Sequence, residues 1–106
     1  MKLVKKVEKI QKIFKKDGLG LEYEVRLPDI CESNIVQIFC GESMWEIQEV
    51  ASALAKPFKT EIIDIDFKKC GENVKISAYL ADVDIVLIAI IPKDFIVDWL
   101  MSQLRA

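Results

Sequence analysis

The stretch VDIVLIAIIPKDF, residues 83–95, decides the fold. Residues 85–91 form the chain's only run of seven consecutive apolar residues, and Pro92, Lys93 and Asp94 end it. A helix that crosses a bilayer needs about 20 apolar residues, so the run is no membrane span. A strand with one wet face alternates apolar and polar residues, and these seven do not alternate. A strand that is apolar on both sides must be covered on both sides, so the expectation is a strand near the centre of a sheet with helices above and below it.

The residues that follow, KDFIVDWLMSQLR (93–105), read as a helix with a wide apolar arc. Phe95, Ile96, Val97, Trp99, Leu100, Met101 and Leu104 leave only a narrow polar stripe at Asp98, Ser102 and Arg105. One sheet cannot bury so much of a helix, so a second helix is expected beside it. The candidate is the first helix, residues 3–16, where Leu3, Val7, Ile10, Ile13 and Phe14 recur at helical spacing and Lys2, Lys5, Lys9, Lys12 and Lys16 fall opposite. Gly18 suits the left-handed conformation that ends helices.

Between these helices lie four more strands and one more helix. LEYEVRL (21–27) alternates strictly, and NIVQIFC (34–40) follows after a PDICES turn. Ser43 and Glu46 form the S-x-x-E capping box of a central helix expected to reach about Ala55, because Pro57 disfavours helical backbone at Lys56. Residues 60–68 and 74–80 then alternate as two further strands around a KCGEN turn. The reading is a single α+β domain over residues 1–106 in the order α-β-β-α-β-β-β-α.

A chain of 106 residues, 52% apolar and 30% charged, has the composition of a globular domain rather than a disordered one. No apolar stretch followed by a small-residue cleavage site marks a signal peptide, and a cytoplasmic location is expected. Three cysteines without CxxC spacing argue for free thiols rather than a disulfide framework or zinc site, and no metal or other cofactor is expected. The net charge of −2 hides an asymmetry. Residues 1–16 carry seven lysines against one glutamate, and the remainder carries eight basic against sixteen acidic groups.

With no histidine, acid–base chemistry would need a carboxylate of raised pKa, and Glu22 with Glu24 and Asp82 with Asp84 read instead as solvated pairs. Pro28 and Asp29 with Asp64, Asp66 and Lys68 imitate the PD…(D/E)xK pattern of magnesium-dependent nucleases, but the halves are separated by a strand and a helix. An exposed polar strand face that guards a sheet edge is the simpler account. No GxxxxGK[ST] or GxGxxG phosphate loop is present. The chain is therefore read as non-catalytic. The lysine face offers an alternative, a grip on nucleic acid or an anionic membrane.

The whole chain resembles the roadblock family of dynein light chains and small-GTPase regulators, most closely over residues 74–106. There a hairpin with an acidic turn (Asp82, Asp84), an apolar strand, a short PKD turn and an apolar helix follow one another. The resemblance implies a five-stranded antiparallel sheet with the last strand central, the first and last helices on one face and the central helix on the other. It also implies a homodimer joined through the third strand and central helix, and a Ras-like GTPase or a protein scaffold as partner. Where the family's first two strands meet in a tight glycine turn, this chain has PDICES.

The central helix completes the reading. Its core face collects Met44, Ile47, Val50, Ala51 and Leu54, which leaves Trp45 outside with Glu49, Ser52 and Ala53. Exposed tryptophan points to a contact, since aromatic residues are enriched in interface cores. Trp45, Glu49, Ser52 and Ala53 on the helix, with Ile62, Asp64 and Asp66 on the third strand, form the expected dimer or partner interface.

Overall fold

The computed structural model describes residues 2–19, 23–26 and 35–105, apart from the side chains of Trp99, Gln103 and Arg105. The elements are α1 (Leu3–Lys16), β1 (Glu24–Arg26), β2 (Val36–Phe39), α2 (Met44–Phe58), β3 (Ile62–Cys70), β4 (Asn73–Leu80), β5 (Ile85–Pro92) and α3 (Lys93–Arg105). PDICES, Glu22, Leu21 and Leu27 lie outside the described residues.

The five strands form one mixed sheet in the order β1-β2-β5-β4-β3. The apolar run is its middle strand. β4 pairs antiparallel with β5 and β3 with β4, whereas β2 lies parallel to β5, with Val36 opposite Ile85 and Phe39 opposite Ile88. The wholly antiparallel sheet implied by the family resemblance is thus corrected at one pair. The cause is topological. A helix crossover from β2 through α2 returns β3 in the direction of β2, and two hairpin reversals then bring β5 back to that same direction. Only β1, antiparallel to β2, could lie antiparallel beside β5, and the chain places β2 there instead.

On β5, Ile85, Leu87, Ala89 and Ile91 point to one side. They are buried with Ile76, Ala78 and Leu80 of β4, Val36 and Ile38 of β2, Ile10 and Phe14 of α1, and Met44, Ile47, Val50 and Leu54 of α2. α1 and α2 therefore cover the same face, and α1 packs on α2. This overturns the expectation that α1 pairs with α3 and that α2 takes the opposite face. The five apolar residues of α1 are too narrow a stripe to serve two helices, and α2 and the sheet occupy it.

Residues on the other face of β5 alternate with these. Val86 and Ile88 are buried, flanked across the sheet by Tyr79 and Gln37 and by Ser77 and Phe39, while Ile90 and Tyr79 remain exposed. Arg26 lies over the Phe39 ring, 5.0 Å from its centroid, so a guanidinium rather than a helix covers that part of the sheet.

Local chemistry fixes the ends of the helices. Gly18, at φ +75°, lets the Leu19 N–H reach the Phe14 carbonyl at 2.7 Å and stops α1. At the start of α2 the Ser43 hydroxyl accepts from the Trp45 N–H at 3.1 Å. The Glu46 carboxylate reaches past Ser43 and accepts from the Glu42 N–H, also at 3.1 Å. It passes close over Gly41, whose φ of +94° and missing side chain make that approach possible.

α2 does not stop at Ala55 but runs to Phe58 with Pro57 inside its last turn. The carbonyls of its last turn find other partners. Lys59, left-handed at φ 51°, turns its N–H to Lys56, the Thr60 N–H bonds Ala55, and the Lys9 ammonium donates to the Pro57 carbonyl at 2.9 Å. Those bonds, and Lys9 stacked 4.4 Å from the Phe58 centroid, hold a turn that the proline alone would disfavour.

Candidate functional site

β3 is the edge of the sheet. It is nine residues long and pairs on one side only, with β4. Ile65 and Phe67 sit opposite Ala78 and Ile76, on the face that the helices cover, but α2 lies over β5 and leaves them exposed. Phe67 is 54% and Ile63, at the strand's irregularity, 64% exposed. Asp64 and Asp66 lie opposite Tyr79 and Ser77 on the other face. Lys68 follows on that side.

The seven residues expected at an interface do not converge. Trp45, Glu49 and Ser52 do share the outer side of α2 and are exposed. Glu49, however, is engaged from within the fold, accepting from the Tyr23 hydroxyl at 3.1 Å. Ala53 packs against the core, as does Ile62 opposite Leu80. Asp64 and Asp66 face away from α2 altogether, because a residue two positions along a strand keeps its side while the helices sit on the other. Ile65 and Phe67, read in the sequence as part of an alternating strand but not as interface residues, are the apolar residues that β3 offers on the α2 side. Their alternation was readable; their exposure depends on β3 being at the edge.

The lysine face is also rearranged. Lys2, Lys5, Lys12 and Lys16 are exposed, but Lys9 is held by Pro57 and Phe58. Lys6, unremarked in the sequence, is only 3% exposed, beside Phe58 and the turn that carries Asp82 and Asp84. Both aspartates adopt left-handed backbone, φ 62° and 53°, a conformation that short polar side chains tolerate best among residues with a Cβ. The basic stripe is thus partly structural, fastening α1 to the end of α2.

α3 leaves the end of β5 without a loop. Phe95, Asp98 and Ser102 face the start of α2 across a groove of about 300 Å³, lined there by Trp45 and closed at its floor by Ile91. Ile96 packs on the core. The opposite side of α3 is bare: Val97, Leu100, Met101 and Leu104 are all exposed. Trp45, 54% exposed, keeps the outward position expected for it.

Among the described residues no three His, Cys, Asp or Glu side chains are grouped to hold a metal. Pro28 and Asp29, half of the nuclease-like pattern, and Cys31 lie outside the described residues. Burial pushes the Cys40 thiol up to about 12, far from the range of a nucleophilic cysteine. Cys70 is exposed at the end of β3. No described helix is long and apolar enough to cross a membrane. Compared with known proteins, the chain matches no family model, no curated protein and no solved structure.

Proposed function

We propose that this chain is a non-catalytic interaction module that forms a homodimer through the β3 edge and presents the joined surface to a protein partner. The observation that carries the reading is β3 itself, nine residues of edge strand exposed on both faces, with Ile63, Ile65 and Phe67 uncovered. A long apolar edge is a template for another strand, and soluble proteins pair, cover or charge such edges.

The sequence of β3 suits its own antiparallel copy. With Phe67 on the two-fold axis, Phe67 meets its counterpart on the helix side, and Asp66 faces Lys68 of the other copy twice on the far side. Opposite charges directly across an antiparallel pair contribute roughly 0.2–1 kcal/mol each. Moving the axis two residues toward the N-terminus, to Ile65, sets Asp64 against Asp66 instead, and moving it two the other way, to Lys69, sets Lys69 against itself. One register is therefore favoured over its neighbours.

The likeness of residues 74–106 to the roadblock family supports a Ras-like GTPase, or the members of a larger scaffold, as the partner class. The test has two parts. Sedimentation equilibrium should give a mass above one chain that falls when Phe67 is replaced by Lys. A panel of Ras-like GTPases, loaded in turn with GDP and a GTP analogue, should then include one that binds the assembled protein and not the Phe67→Lys variant. A single-chain mass at every concentration would end the dimer reading, and a panel with no binder would end the GTPase reading.

A further inference from the structure

We infer that the groove between α3 and the start of α2 is a binding site for a small quaternary ammonium compound, of the size and charge of choline, and that it is independent of the β3 edge. Two aromatic rings and one carboxylate line the groove, Trp45 from α2 and Phe95 with Asp98 from α3. Phe95, Asp98 and Ser102 stand at positions i, i+3 and i+7, so one face of α3 carries all three. Trp45 is 54% and Phe95 55% exposed, and none of the residues lining the groove is basic.

The occupant is argued from charge and from the make-up of the lining. An aromatic face attracts a cation held within about 6 Å of its centroid, and quaternary ammonium groups are recognised in this way. The fold already uses the attraction with Lys9 over Phe58 and Arg26 over Phe39, but among the described residues no cation lies over Trp45 or Phe95 and none pairs with Asp98. The N-terminal end of α2 would by itself oppose a cation here. That end is capped, however: the Ser43 hydroxyl accepts from the Trp45 N–H, and the Glu46 carboxylate, a negative charge in the first turn, accepts from the Glu42 N–H. A primary ammonium or a guanidinium brings three to five N–H donors that need acceptors, and the side-chain oxygens available are those of Asp98, Ser102 and the already engaged Ser43. A quaternary ammonium has no N–H to satisfy, and its methyl groups suit a floor made by Ile91. The groove, at about 300 Å³, is at the lower end of the ~300–1,000 Å³ of small-molecule sites, so it holds a free ligand of this size rather than a segment of chain.

The test is a titration of the full chain with choline, followed by heteronuclear NMR at the Trp45 indole N–H. The same titration is made with the neutral isostere of choline, in which a tert-butyl group replaces the trimethylammonium. Choline should shift the Trp45 resonance in a saturable way, and the isostere should bind about tenfold more weakly or worse. Asp98→Asn, which removes the charge at constant shape, should weaken choline by about fivefold, and Phe95→Leu by a similar factor. Both residues are exposed, so the circular dichroism spectrum should not change. Phe67→Lys, which breaks the β3 contact, should leave choline binding as it is.

A saturable shift that Asp98→Asn and Phe95→Leu both weaken supports the site. No shift at any concentration of choline overturns it. Equal binding of choline and its neutral isostere overturns it too, since the groove would then be an apolar cleft without a charge preference. Choline binding that neither substitution changes would place the ligand elsewhere and end the inference, and loss of binding in Phe67→Lys would end its independence of β3. Binding to phosphatidylcholine vesicles without affinity for free choline would overturn the inference in favour of a lipid surface. A single-chain mass at every concentration would end the dimer reading and leave this site untouched.

Discussion

Replacing Phe67 by Ala gives the β3 contact a magnitude. A phenylalanine side chain contributes about 200 Å² on burial, and 54% of Phe67 is exposed in the single chain. Covering that share in a dimer removes about 110 Å² per copy, which at ~25 cal/mol/Å² is worth about 2.7 kcal/mol, or about 5 kcal/mol for the pair. Alanine keeps only the Cβ, so the loss should be about 3–5 kcal/mol, a rise of roughly two to three and a half orders of magnitude in the dissociation constant. The part of the ring already buried against β4 and its neighbours is smaller, so the monomer should lose at most about 2 kcal/mol on unfolding in urea. Sedimentation equilibrium over a wide concentration range reads the first quantity and urea denaturation at low concentration the second. A dissociation constant within about threefold of the wild type, alongside the expected loss of folding stability, would refute the β3 pairing. The ring would then belong to the monomer alone.

Four further outcomes follow from the fold. Lys9→Ala removes the bond to Pro57 and the stack on Phe58 and should destabilise by about 1 kcal/mol, measured by thermal unfolding, while Lys5→Ala at an exposed site should not. Gly41→Ala places a Cβ into the Glu46 carboxylate at a positive φ and should cost about 1–2 kcal/mol, part of it recovered in Gly41→Ala/Glu46→Ala. With Cys31 replaced by Ser, a thiol reagent at neutral pH should modify Cys70 in the native protein and reach Cys40 only after denaturation. Because burial raises Cys40 from 9.0 to about 12, the folded state holds that proton more tightly than the unfolded chain does. Its contribution is therefore complete below about pH 9 and is lost as pH climbs toward 12, so Cys40→Ala should flatten the fall in urea stability across that window.

Much of the architecture was written in local patterns. The 3.6-residue rhythm of residues 3–16 and the Ser43 signal mark α1 and α2 because each depends only on neighbours along the chain. The run at 85–91 announced a buried strand for the same reason. What the pattern could not carry was which first-hairpin strand lies beside β5. That choice reverses the sense of one pairing yet leaves every residue's apolar or polar character unchanged. The end of α2 escaped for a different reason. Pro57 is disfavoured locally, and the groups that make it tolerable, Lys9 and the left-handed Lys59, come from another helix and from beyond the turn.

The proposed interface was legible only as a class of residue. Trp45 could be picked out because a large ring on the polar side of a helix is out of place whatever the fold. Phe67 could not, since an aromatic residue on the apolar side of an alternating strand is what a buried strand also shows. Its exposure comes from the sheet's order and from α2 stopping short of the edge. The same holds for α3, whose wide apolar arc called for a neighbour that α1 does not supply.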